Sequence, residues 1–267
     1  MADSLGPYSL AGKRAIACGS SQGIGKACAV QFARLGAQVT LLARDSEALQ
    51  RACAELPGSQ GVRHAWLRAD FDDPTALRQL VAAHLAETGP VQVLLNNSGG
   101  PPHGAIVEAI GEDFQKAFSR HVVCNQLLCQ LVLPGMKQSG YGRIINIIST
   151  SVKEPIAGLG VSNTTRWAVA AWAKTLAGEL AGFGITVNNI LPGYTDTARL
   201  AELMRAKAAA GGTAEDAVRR EIIARIPMGR LASPDEIAAA AGFLASPAAS
   251  YVTGINLPVD GGRTASL

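Results

Sequence analysis

The sequence predicts an α/β fold, a doubly wound parallel sheet of seven strands with helices on both faces. Two observations carry that expectation. Short β-rich runs alternate with amphipathic segments from residue 14 to residue 262. The runs are apolar on both faces, as strands are when helices cover them on either side. Right-handed crossovers then wind such a sheet outward in both directions. The 267 residues suffice for one large core. No linker, repeat or low-complexity tract divides them, so 1–267 reads as a single domain.

The elements follow in order. "RAIAC" (14–18) is the first strand, and "GIGKACAVQFARLG" (23–36) a helix closed by Gly36. "AQVTLLA" (37–43) is the second strand, followed by a helix over 45–56 with Asp45 or Ser46 as N-cap. The third strand spans 62–70, and the next helix spans 73–89 with Pro74 in its first turn. "VQVLLN" (91–96) is the fourth strand. A long helix covers 112–138, which Pro134 should kink or shorten. "RIINIIS" (143–149) is the fifth strand, an Ala-rich helix follows "SNTTR", and "ITVNNILP" (185–192) is the sixth strand. Residues 198–226 are polar, Ala-rich and helix-prone. A final helix over 234–246 precedes a seventh strand within 255–262.

Composition excludes several classes. Apolar residues make up 48% and charged residues 17%, which suits a soluble globular chain rather than a disordered one. The net charge is only +3 and no long basic run occurs, which argues against nucleic acid as a partner. No apolar stretch is long enough for a membrane span, and the first residues carry no apolar leader, so a cytoplasmic location is expected. Cys18, Cys28, Cys53, Cys124 and Cys129 show neither CxxC nor metal-ligand spacing. They read as reduced, buried filler, and no metal site is expected.

The first chemical signal is "CGSSQGIG" (18–25), spaced Gly19-x-x-x-Gly23-x-Gly25 directly after the first strand. Glycines permit the tight turn and let a pyrophosphate approach the backbone, while the helix start offers N–H groups to the anion. This is the layout of a Rossmann dinucleotide site. The second strand ends "LLAR" (41–44). An NAD-preferring site carries an acid there for the ribose 2′-hydroxyl. Ala43 and Arg44 stand there instead, and an arginine can pair with a 2′-phosphate. NADP(H) is therefore favoured over NAD(H), with Asp45 close behind as the opposing feature.

With these residues in view, the chain resembles the short-chain dehydrogenase/reductase family along nearly its full length, in a branch similar to 3-oxoacyl-acyl-carrier-protein reductases. "GSSQGIG" looks like the family's glycine turn and implies cofactor contacts from Gly19, Ser21, Gln22, Gly23, Ile24 and Gly25. "RADFDD" looks like the segment that meets the adenine, here through Asp70 and Phe71. "NNSGG" resembles the family's NNAG motif, with Asn97, Ser98 and Gly99 at the cofactor and Ser98 in place of Ala. "NNILPGYTDT" resembles the segment around the nicotinamide, through Pro192, Gly193, Thr195 and Thr197. "YVTGINLPVDGG" looks like the family's last strand.

The departures fall where the reaction happens. The family pattern places a Ser at the end of the fifth strand, a Tyr thirteen positions later and a Lys four beyond it. Here Ser149, Ser162 and Arg166 hold those places, and His121 stands where the family has an Asn. A serine hydroxyl is a far weaker acid than a tyrosine lowered by a neighbouring cation, although it can donate a hydrogen bond to an oxyanion. Arg166 stays charged, so it can hold ribose hydroxyls, including those of the cofactor, or stabilise an oxyanion, but cannot relay protons. Of the nearby groups, His121 has an ordinary pKa, about 6.5, suited to proton transfer. A neutral histidine packed in its helix is the structural alternative. Lys153, Tyr194 and His103 are further candidates, each with a plain reading as a surface, packing or loop residue.

These residues imply an NADP(H)-dependent oxidoreductase acting on a small carbonyl or hydroxyl compound. The alternatives are a nucleotide-binding protein without redox turnover, serving as a sensor or assembly partner, and a lyase or isomerase using the same pocket. The resemblance makes 198–226 a substrate-covering helical segment in which Leu200, Leu203 and Met204 face either substrate or core. It also makes the helices over 112–138 and 163–182 subunit contacts, so a homotetramer is expected, with a homodimer second.

Overall fold

The computed structural model describes residues 2–58 and 62–266. Its strands are β1 Arg14–Cys18, β2 Gln38–Ala43, β3 Ala65–Arg68, β4 Val93–Asn96, β5 Gly142–Ile147, β6 Ile185–Pro192 and β7 Asn256–Val259. They form one parallel sheet in the order β3-β2-β1-β4-β5-β6-β7. The expected doubly wound fold is present, and the strand order reverses between β1 and β4. The helices are α1 Gly23–Arg34, α2 Ser46–Ala54, α3 Pro74–Thr88, α4 Gly111–Phe118, α5 Cys124–Ser139, α6 Gly160–Leu180, α7 Ala198–Gly211, α8 Glu215–Ala224 and α9 Pro234–Ala245.

Strand alternation builds two cores. Ala15, Ala17, Val39, Leu41, Val93 and Leu95 point to the face covered by α1, α2 and α9, where Phe32, Leu49 and Leu244 are buried. Ile16, Cys18, Leu42, Leu94 and Ile144 point to the other face, onto α3, α5 and α6. The sheet is thus dry on both sides, and its open end lies at the strand C-termini. β3 and β7 are shorter than expected and alternate between exposed and half-buried residues, because each is an edge strand with one neighbour.

Asparagine side chains also tie β4 through β7 together. Asn96 donates to Asn146 at 2.8 Å, Asn146 to Asn189 at 2.8 Å, and Asn189 to Asn256 at 2.8 Å. The four are register partners across the sheet.

Three local features differ from expectation. The long helix over 112–138 is broken not at Pro134, which lies inside α5, but by one π-helical turn over Ser119–Val123. β5 stops at Ile147, so Ser149 lies beyond the strand and caps a short 3₁₀ turn over Thr150–Val152. The segment 198–226 is a helical hairpin: Gly212, at φ 60°, ends α7 and lets α8 fold back. Leu200, Met204, Val218 and Ile222 bury each other in its own small core. No helix among the described residues is long and apolar enough to cross a membrane.

Candidate active site and cofactor cleft

A cleft of about 620 Å³ opens at the strand C-termini, beside the β1–β4 switch point. The β1–α1 turn forms one wall. Gly19 has φ +58°, and a Cβ there would lie 2.6 Å from the Asn97 carbonyl oxygen. A Cβ on Gly25 would lie 2.2 Å from the Gly19 carbonyl oxygen. The Asn97 amide donates to the carbonyls of Cys18 at 3.3 Å and Gly19 at 3.2 Å, pinning the turn against the end of β4. No side chain caps α1, so its first N–H groups are open to an anion. This cradle fits a dinucleotide pyrophosphate. Gly19, Ser21, Gln22, Gly23 and Ile24 line it. Gly25 does not: it lies behind the turn, where lack of a side chain permits helix and turn to approach.

At one end the cleft is lined by Arg44, Asp45, Asp70, Phe71 and Arg120. The Asp45 carboxylate caps α2 by accepting the Ala48 N–H at 3.0 Å. The Arg44 side chain donates no hydrogen bond and forms no ion pair among the described residues. Asp70 accepts the Asp72 N–H at 3.0 Å, and Asp72 pairs with Arg120.

At the other end Ser149, Ser162 and Arg166 line the same cleft, together with Asn97, Ser98, Gly99, Pro192, Gly193, Thr195 and Thr197. Ser149 accepts the Ser151 N–H at 3.0 Å, which leaves its own O–H available to donate. Ser162 stands in the first turn of α6, and its hydroxyl makes no side-chain hydrogen bond among the described residues. Arg166 is only 8% exposed; its Nη1 donates to the Ile147 carbonyl at 3.1 Å. No carboxylate pairs with Arg166 among the described residues. Burial lowers its pKa to about 10, so it remains a cation at neutral pH.

His121 does not line the cleft. It sits in the π turn, 2% exposed, with Nδ1 2.7 Å from Ser98 Oγ. Its buried Nε2 has no hydrogen-bond partner among the described residues. Burial, then the charges of Arg166 and Arg120, push its pKa down to about 2. The ordinary value assumed from the sequence is therefore displaced, and His121 is neutral across the physiological range. A π turn inside a helix is a recurrent feature of functional sites, and here it turns His121 toward Ser98.

Of the other proton-donor candidates, Tyr194 lines the cleft, whereas Lys153 and His103 do not. His103 packs over Gly158. Leu200 and Leu203 line the cleft, and Met204 belongs to the core of the hairpin. Sequence reasoning missed Arg199 and Arg263, which also line it. Arg199 stands two positions past the segment read as cofactor wall, and Arg263 follows the last strand; neither stands in a motif.

The family model described as enoyl-(acyl carrier protein) reductase matches residues 19–264. The chain is 36% identical over 256 residues to 2-keto-3-deoxy-L-fuconate dehydrogenase of Xanthomonas campestris pv. campestris, covering 95% of this chain and 80% of that one. It is 32% identical over 259 residues to a 3-oxoacyl-acyl-carrier-protein reductase of Pseudomonas aeruginosa, covering 95% and 98%. Its structure resembles L-sorbose reductase from Gluconobacter frateurii, solved with NADPH and L-sorbose, at a TM-score of 0.91 and 31% identity, over 98% of this chain and 100% of that one. The chain belongs to the short-chain dehydrogenase/reductase family and is an oxidoreductase of that type, built for a nicotinamide cofactor.

Proposed function

We propose that the protein is an NADP(H)-dependent oxidoreductase of a small carbonyl or hydroxyl compound, with the usual Tyr-Lys pair replaced by a site built on Ser149, Ser162, Arg166 and the Ser98–His121 pair. The observation that carries this reading is the convergence of Ser149, Ser162 and Arg166 with the glycine turn on one cleft. The nicotinamide cofactor supplies or accepts the hydride.

The chain's residues handle the charge and the proton. As a carbonyl oxygen becomes an alkoxide, the Ser149 and Ser162 hydroxyls donate hydrogen bonds to it, and Arg166 adds positive potential. Arg166 also offers its planar donors to cofactor ribose hydroxyls. His121 acts through Ser98. Its neutral, buried ring hydrogen-bonds the Ser98 hydroxyl at 2.7 Å and orients it toward the alkoxide. The proton itself comes from water in the cleft, whose hydroxide passes to bulk solvent, and no imidazolium forms. Tyr194 carries a second reading, as direct proton donor, because it lines the cleft.

NADP(H) is favoured because Arg44 keeps its donors unengaged while Asp45 is committed to capping α2. Relatives with the names given above act on sugar-derived and acyl carbonyls, which supports the carbonyl/hydroxyl class. Copies of the chain associate, on this reading, through α4–α6, where Phe118 and Trp167 are 47% and 50% exposed. The test is NADPH and NADH titration followed by a carbonyl panel, run on wild type, His121→Asn and Tyr194→Phe. Tight NADPH binding with no oxidation of it by any carbonyl would reject the reading.

A further inference from the structure

Resting on that reading, we infer that the substrate bears a carboxylate, held by Arg263 at an arginine-lined end of the cleft. Arg166, Arg199 and Arg263 line the same cleft as Ser149 and Ser162, while the acids that line it among the described residues, Asp45 and Asp70, belong to the segments after β2 and β3. Arg263 is held ready: Nη1 donates to Thr150 Oγ1 at 3.2 Å, and the guanidinium lies 5.2 Å from the centre of the Tyr194 ring. Its remaining N–H donors form a planar fork suited to a carboxylate.

The nearby acids are otherwise engaged. Asp260 accepts from the Gly262 N–H, the Thr264 N–H and the Thr264 hydroxyl, and Glu154 accepts the Ala265 N–H at 2.8 Å. Neither comes within ion-pair distance of Arg263 among the described residues; Asp260 feels the Arg263 charge but spends its oxygens on these backbone and hydroxyl donors. Arg199 donates to the Pro101 carbonyl at 2.9 Å and has Glu202 at 3.6 Å, so its charge is partly compensated. Arg166 is buried with no carboxylate partner among the described residues. Buried cations without counterions raise the affinity of a pocket for anions and penalise further cations. Leu200, Leu203 and Tyr194 supply the apolar wall for the rest of a small molecule.

The experiment is calorimetric titration of the NADP⁺-bound protein at fixed ionic strength with acetoacetate, levulinate and 2-oxobutanoate, each against its methyl ester. NADP⁺ prevents carbonyl reduction, so the readout is binding and not turnover. The acids should bind about ten- to a hundredfold more tightly than the esters, the scale of one charge-assisted contact. Arg263→Ala should remove most of that preference while leaving ester affinity unchanged, and Arg263→Lys should keep part of it. Equal binding of acids and esters, no binding of the acids, or a preference intact in Arg263→Ala would overturn the inference. Acid binding that depends on Arg263, in a protein whose NADPH form reduces no carbonyl, would reject the oxidoreductase reading and leave the anion site standing.

Discussion

Ser98 Oγ lies 2.7 Å from His121 Nδ1, joining a residue of the cleft wall to the buried π turn. The family resemblance implies an alanine at the first position and an asparagine at the second. Ser98 lines the cleft and His121 lies behind it, so the histidine reaches the cleft through the serine. If they act as one unit, their effects on turnover are strongly non-additive. His121→Asn should lower kcat by about 10²-fold with little change in NADPH affinity, and adding Ser98→Ala should cost little more. Multiplicative losses in the double variant would show that the pair does not work together.

The depressed pKa of His121 makes acid stability a separate test. Its native value of about 2 lies below the ordinary 6.5, so between those limits the unfolded chain binds a proton that the folded chain refuses. Stability is then complete above pH 6.5 and falls as the pH drops toward the native value, by about 1.4 kcal/mol per unit. Denaturant unfolding at pH 6.5 and pH 5, compared between wild type and His121→Asn, should show a smaller acid loss in the variant. The same group should leave no inflection in kcat across pH 6–8.

Arg44 should set cofactor choice. Arg44→Ala should weaken NADPH binding by about ten- to a hundredfold, as expected for loss of a contact to a charged phosphate, and leave NADH binding nearly unchanged. Equal NADPH dissociation constants in the two proteins would remove Arg44 from the site.

Ser162 stands in the first turn of α6 facing the cleft, and Arg166 follows one turn later. The double variant Ser162→Tyr with Arg166→Lys should therefore raise carbonyl reductase activity by restoring an acidic hydroxyl beside a cation. Unchanged activity in a folded, NADPH-binding double variant would mean that the two positions do not face the reacting carbonyl.

Asn146 lies in the middle of the asparagine chain, giving one hydrogen bond and taking another. Asn146→Ala would strip partners from Asn96 and Asn189, both buried. Each amide group left unpaired costs about 1–3 kcal/mol, so the variant should lose about 2–4 kcal/mol in denaturant unfolding. Asn256→Ala, at the exposed end of β7, should lose less.

The α/β alternation, the seven strands and the glycine turn were legible in the sequence because each depends on local pattern: strand periodicity, helix caps, and glycines that only a tight turn requires. Asp45, one of the two residues the sequence offered as cap, caps α2, and Pro74 opens α3 as its fixed φ favours. The spacing of Ser149, Ser162 and Arg166 was likewise readable, since a strand, a turn and a helix of fixed rise carry them to one place. Tertiary structure decided the rest. The π turn at Ser119–Val123 has no local signature, whereas Pro134, which has one, sits within a continuing helix. The pKa of His121 depends on burial and on two arginines, and Arg166, the second cause after burial, lies 45 positions away in the chain. Arg263 reaches the cleft only because the segment after β7 passes beside the turn at Thr150, a contact between residues 113 positions apart. Local rules determine which elements form; charge, burial and proton affinity in a site are set by what the fold brings beside a residue.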